Sequence, residues 1–282
     1  MDFGIFTGPT DESIRVDTVA AAVEELGFDS YWVPEHSHIP VEGGAYWASG
    51  GELPRGYKRG LEPWVALAAA AAATSRILLG TGCTLVPEHD PIHLAKRIAT
   101  VDLLSGGRVL VGVAAGWHME ELANHGIDPA DRWEIMQDRT QAMRAIWTSD
   151  EPEYHGSHVD FDPIWQWPKP VQQPHPPILV GGNHNRGMRH TVAYGDAWMP
   201  FVGREQLPMA DRLEQLNEMA AAAGRGPIPA TVFGVRAEHD HIEQYLVPGV
   251  ERIVIRIAPA PAKEVLPQLG QAATLAAEYA GA

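Results

Sequence analysis

Short apolar runs alternate with longer segments of helical periodicity along the whole chain. Phe3–Phe6 reads as a strand, and Ser13–Leu26 as a helix with Ile14, Val19, Val23 and Leu26 on one side, ended by Gly27. Asp29–Val33 is a second strand, followed by a long loop from Pro34 to Pro63 and a helix over Trp64–Thr74. Ile77–Thr84 makes strand three, Pro91–Leu104 a helix with proline in its first turn, and Val109–Ala114 strand four. Beyond a strongly periodic helix at Arg132–Trp147, the stretch from Asp150 to Pro177 carries seven prolines and has room for a short hairpin. Ile178–Gly181, Asp196–Pro200, Thr231–Arg236 and Arg252–Ile257 are strands five to eight. Helical patterns follow them at Arg186–Tyr194, Arg204–Ala223, His239–Leu246 and Ala262–Ala280.

Eight strands, each followed by helical pattern, with many strands apolar on both faces, predict an α/β fold: a (β/α)8 TIM barrel with long loops after strands two and four. A length of 282 residues suits one barrel domain over residues 1–282. In that architecture the chemistry lies just after the strands. The residues there are Thr7-Gly8, Glu35-His36-Ser37-His38, Gly82-Cys83-Thr84, Ala115-Gly116-Trp117, Gly182-Asn183-His184, Phe201 and Ala258-Pro259.

Charge narrows the function. The chain has 21 basic and 36 acidic residues, a net −15, which disfavours a nucleic-acid partner and requires any bound phosphate to be held locally. No apolar run reaches the length of a membrane span, and Met1-Asp2 passes straight into a strand with no export signal, so a cytoplasmic location and no membrane partner are expected. Cys83 has no second cysteine to pair with.

Of the rim residues, Glu35 is the only acid directly after a strand, which argues against a two-carboxylate glycosidase. Cys83 has no evident activating partner and reads as buried packing. His36 follows a strand, beside an acid able to orient it, and suits proton transfer near neutral pH; His38 reads as a solvated loop residue. The His-x-His spacing leaves open a metal-dependent barrel hydrolase using His36 and His38, though strands six and eight end without a ligand, and no metal is assigned. Gly181-Gly182-Asn183-His184 leads into a helix and makes a phosphate cradle, with Arg186 and Arg189 nearby. In the loop after strand two, Trp47 and Tyr57 either stack on a planar substrate or cover the barrel mouth. Arg55, Lys58 and Arg59 there are either a solvated face or a seat for an anionic tail.

Gly80-Thr81-Gly82-Cys83, Asp90-Pro91, Asp102-x-x-Ser105-Gly106-Gly107-Arg108, Gly112 to Trp117 and Val180-Gly181-Gly182-Asn183 together resemble the bacterial luciferase-like superfamily of flavin and deazaflavin oxidoreductases. Glu35-His36-x-x-x-Pro40 and Gly195-Asp196-Ala197-Trp198-Met199-Pro200 look most like its branch that uses coenzyme F420. The resemblance implies an oxidoreductase that moves hydride between F420 and a small organic substrate, with His36 as proton donor or acceptor and Glu35 beside it. An FMN-dependent monooxygenase is the alternative within the family. The resemblance also implies a non-prolyl cis peptide, carried here to Gly82-Cys83, with the ring against the end of strand three at Gly82, Cys83 and Thr84. Ala115, Gly116 and Trp117 would line the cofactor's side chain and Gly181, Gly182, Asn183 and His184 its phosphate. Ala115 stands where many relatives have glycine. Dimerisation is a further expectation from the resemblance.

Overall fold

Apolar runs bury both faces of a parallel sheet when helices cover the outside and the sheet closes on itself, and the chain does both. A computed structural model of the chain describes residues 1–41, 51–203 and 207–280. In chain order, β1 (Asp2–Thr7), α1 (Val16–Glu25), β2 (Ser30–Val33), α2 (Pro63–Ala73), β3 (Leu78–Thr81), β4 (Thr84–Leu85), α3 (Pro91–Ser105), β5 (Val109–Ala114), α4 (Met119–Asn124) and α5 (Arg132–Thr148) form the first half. Then come β6 (Tyr154–His155), β7 (Asp160–Phe161), β8 (Ile178–Gly181), α6 (Asn185–Tyr194), β9 (Ala197–Met199), α7 (Met209–Ala222), β10 (Ala230–Val235), α8 (His239–Glu243), β11 (Val250–Ile257) and α9 (Ala262–Tyr279).

The barrel runs β1-β2-β3-β5-β8-β9-β10-β11 and closes through parallel pairing of β11 with β1, with β4 continuing β3 alongside β5. This is the expected (β/α)8 TIM barrel. Strand three is broken rather than continuous: β3 ends at Thr81, the Gly82–Cys83 peptide is cis, and pairing resumes at Thr84. Three elements add to the reading from sequence, the short helix α4 after β5 and 3-10 segments at Arg55–Arg59 and Val86–Glu88. The hairpin in the proline-rich stretch is the antiparallel pair β6–β7.

Glycines make the barrel interior possible. A β-carbon on Gly80 would lie 2.1 Å from the Trp32 ring, one on Gly4 2.3 Å from Ser30 Oγ, and one on Gly82 2.1 Å from Phe233. Trp32 and Phe233 occupy the vacated space and pack with Cys83, Leu110, Leu179, Met199 and Val254 into a small inner core. A larger core lies between the strands and the helices.

The segment 150–177 lies over α3 and α5 as an arm fastened by buried or capped polar groups. Fully buried Asp102 accepts the Val171 and Gln172 backbone N–H groups and the Gln172 amide, and Gln172 also donates to Val109 O. Lys169 caps the last carbonyls of α5 at Ile146 and Ser149, and Asp138 receives the Tyr154 hydroxyl and the His158 N–H. Arg108 ties the inner ends together by donating to the carbonyls of Ala71, Thr74, Ile77 and Ser105 and to the Thr74 hydroxyl.

Candidate active site

Parallel strands deliver the residues that follow β2, β4, β5 and β8 to one end of the barrel, and there His36 meets two aromatic rings. Its ring centroid lies 5.3 Å from Tyr57 and 5.5 Å from Trp117, the latter edge-on at 80°. The loop after β2 and the turn after β5 thus build one aromatic cup. His36, Tyr57 and Trp117, singled out separately in the sequence, are brought together. Trp47 lies outside the described residues.

The acid that orients His36 is not its neighbour in sequence. Glu35 points away, accepting the Leu85 N–H at 2.6 Å and pairing with His89 Nε2 at 2.8 Å, so it fastens the β2 loop to the β4 end. His36 Nδ1 instead bonds Glu121 Oε2 at 2.6 Å, and Glu121 is fully buried. Glu121 sits in the first turn of α4, where the unpaired N–H groups favour a carboxylate. Its other oxygen accepts the Ser37 N–H at 2.8 Å.

A third carboxylate lies behind these two. The Glu88 side chain is 2% exposed, and neither of its oxygens has a hydrogen-bond partner among the described residues. His125 Nε2 stands 3.4 Å from it. Burial, then the charges of Glu121 and Glu35, push the Glu88 carboxyl up to about 8. Burial would raise Glu121 as well, but the bond to His36 and the N–H groups of Ser37 and His38 outweigh it and hold Glu121 below its ordinary value. One carboxyl of the pair is therefore held neutral and the other ionised. Burial, reinforced by His38, pushes His125 down.

The rim is thus richer in acids than the residues directly after the strands suggest. Glu121 had a signal in sequence, a His118-Met-Glu-Glu helix start, and His118 does cap α4 by accepting the Glu121 N–H at 3.3 Å. Nothing in Val86-Pro87-Glu88-His89 marks Glu88 for burial.

At the break between β3 and β4, Cys83 turns its thiol inward against Met199 Sδ at 3.5 Å, where burial pushes its pKa up. Thr84 is buried and donates to Thr81 Oγ1. Only the backbone at Gly82–Thr84 is left to meet a ligand. Ala115 is buried, and Gly116 holds φ +82 with a β-carbon position 3.2 Å from Leu122, so that turn favours glycine.

The stretch after β8 divides in the same way. Asn183 is used structurally, its amide bonding both the carbonyl and the N–H of Phe201. Gly182 holds φ +137 against Trp133, and His184 is exposed at the N-terminus of α6 without a side-chain cap bond. A basic group gathers there: Arg132 donates to the Pro129 carbonyl, its buried Nε has no partner among the described residues, and burial together with nearby Arg186 lowers its guanidinium's affinity for a proton. His190 stacks on Trp133 at 5.1 Å and is pushed down to about 4 by burial, Arg186 and Arg189. By contrast, two arginines of the β2 loop have carboxylate partners. Arg55 pairs with Glu12 at 2.6 Å and Arg59 with Asp11.

His36 and His38 do not converge. His38 bonds Ser37 Oγ at 2.8 Å and Asn124 at 2.9 Å, away from the cup, and no group of three or more metal-ligating side chains forms among the described residues.

The family model described as luciferase-like monooxygenase matches residues 1–254. The chain belongs to the luciferase-like monooxygenase family. An uncharacterized protein of Mycobacterium tuberculosis is 40% identical over 90% of this chain and 91% of that one. An FMNH2-dependent dimethylsulfone monooxygenase of Pseudomonas putida is 30% identical over 60% of this chain and 46% of its own. Among solved structures, an F420-dependent secondary alcohol dehydrogenase with an F420–acetone adduct has the same fold, with TM-score 0.72 and 19% identity over 97% of each chain. Proteins similar to this chain in sequence or in fold thus include an FMNH2-dependent and an F420-dependent enzyme. Among the described residues, no helix of this family member is long and apolar enough to cross a membrane.

Proposed function

We propose that the chain is an oxidoreductase that moves hydride between coenzyme F420 and a small organic substrate, with His36 giving or taking the accompanying proton. The observation that carries this reading is the His36 cup: an imidazole fixed by a buried carboxylate, walled by Tyr57 and Trp117, at the C-terminal mouth of a luciferase-like barrel.

The residues present fit such a cofactor. Arg132 Nε is a buried donor without a partner among the described residues, beside Arg186 and the first turn of α6, an arrangement that an anion would complete. Gly182 keeps the approach to those amides open, and the backbone of Gly82–Thr84 with Ala115–Trp117 offers two flat walls for a planar ring. When bound, the deazaflavin supplies a hydride acceptor and donor that does not readily activate oxygen. The chain's own work is to hold the ring's anionic side chain at α6, to shield the substrate with Tyr57 and Trp117, and to hold a proton at His36. In this reading Glu35 is a fastening residue for the β2 loop rather than a reacting group.

FMN is the second reading, favoured by the Pseudomonas putida relative. Fluorescence titration with each cofactor tests the choice. We expect F420 to bind at least about ten-fold more tightly, a difference of about 1.4 kcal/mol; equal or tighter binding of FMN overturns it. His36→Ala is expected to keep F420 affinity within a few-fold and to lower hydride exchange with short secondary alcohols by about 10²- to 10⁴-fold. Unchanged exchange would make His36 structural.

A further inference from the structure

The two oxygens of Glu121 are used differently. Oε1 accepts the Ser37 N–H at 2.8 Å, the Ser37 hydroxyl at 3.2 Å and the His38 N–H at 3.4 Å. Oε2 meets His36 Nδ1 at 2.6 Å. An ionised carboxylate has no proton to give, so in that bond the proton belongs to Nδ1. Glu121 is kept ionised by this bond and the backbone donors, while neighbouring Glu88 is kept neutral and adds no competing charge.

We propose that Glu121 is the positioning residue that fixes His36 as its Nδ1–H tautomer, so that the neutral ring presents the Nε2 lone pair to the barrel mouth and the protonated ring presents an Nε2–H. The inference rests on the reading of His36 as the acid–base group, and extends it by assigning which nitrogen reacts and what decides it. No side chain among the described residues takes up Nε2. Glu35 could not serve in this role, since both of its oxygens are engaged by Leu85 and His89. His38, His125, His118 and Arg139 complete the ionisable surroundings, and their bonds run to Ser37, Asn124, Glu88, the α4 start and the Pro87 and His89 carbonyls rather than to His36.

Glu121→Gln separates position from charge. The backbone donors of Ser37 and His38 claim the amide oxygen, which turns the amide NH2 toward His36 Nδ1. His36 must then accept at Nδ1 and carry its proton on Nε2, the opposite tautomer. Nitrogen NMR of the histidine-labelled full chain, with His36 assigned by its loss in His36→Ala, reads this directly at a pH where the ring is neutral. We expect Nδ1–H in the wild type and Nε2–H in Glu121→Gln. Nε2–H in the wild type, or the same tautomer in both proteins, overturns the proposal, and the wild-type spectrum decides even if the variant does not fold. With F420 and a secondary alcohol, Glu121→Gln is expected to lower exchange by about 10²- to 10⁴-fold, as a wrong histidine tautomer does in other acid–base sites. The two readings fail separately. If His36→Ala leaves exchange intact while the tautomers switch, the acid–base role falls and the positioning role stands; if His36→Ala abolishes exchange but the wild type is Nε2–H, the reverse holds.

Discussion

Replacing Glu88 by glutamine removes an ionisable group at nearly constant volume, and its effect on stability can be worked from the structure. The carboxyl is pushed from its ordinary 4.5 up to about 8 by burial and by Glu121 and Glu35. Each pKa unit of difference between folded and unfolded chain is about 1.4 kcal/mol, so the interval corresponds to at most about 5 kcal/mol. Water reaching the partly exposed His125 beside it screens those charges, and about 2–3 kcal/mol is the working figure. The sign follows from proton binding. Between 4.5 and about 8 the folded chain keeps a proton that the unfolded chain has lost, so stability falls as pH rises across that window, and the whole loss is present above it. Glu88→Gln has no such proton. In denaturant unfolding from about pH 5 to about pH 9, the wild type should therefore lose about 2–3 kcal/mol more than the variant, other titrations cancelling in the difference. Parallel pH–stability curves for the two proteins would refute the reasoning and mean that Glu88 is ionised at neutral pH.

Three further outcomes are expected. Arg108→Ala strands the carbonyls of Ala71, Thr74, Ile77 and Ser105 and should lower unfolding free energy by about 3 kcal/mol, measured in urea. Gly80→Ala drives a methyl into the Trp32 ring and should destabilise by about 2–3 kcal/mol, with part of the loss recovered in a Trp32→Phe background. Arg186→Glu reverses the charge at the start of α6 and should weaken F420 binding about ten-fold in low salt while leaving the melting temperature in place; unchanged affinity would move the anion site elsewhere.

The barrel was legible because it rests on periodicity: apolar runs and helical stripes fix which faces are buried, and eight repeats of one unit leave few alternatives. That His36, Trp117 and Tyr57 share one end of the barrel was legible because each lies just after a strand or in the loop after β2. Glu121 and Glu88 were not, since their importance comes from where α4 and the turn at Val86–Glu88 fold back, a long-range placement that leaves no local pattern. Glu35 shows the converse. Adjacency in sequence made it the natural partner for His36, but consecutive residues leaving a strand point to opposite sides, and its carboxylate is aimed at Leu85 and His89 instead. The glycines carried two meanings that sequence does not separate. Gly4, Gly80 and Gly82 make room for Trp32, Ser30 and Phe233, whereas Gly182 adopts a backbone angle that other residues rarely reach.

The arm over residues 150–177 is bound to helices, through Asp102 of α3 and Asp138 and Ile146 of α5, and among the described residues no hydrogen bond or ion pair joins it to the loop that carries His36. Wall and doorway are thus separate pieces of chain. The arm's fastenings to α3 and α5 at Asp102, Asp138 and Ile146 draw on none of the described residues of the β2 loop, so a change in that loop leaves each of those bonds in place.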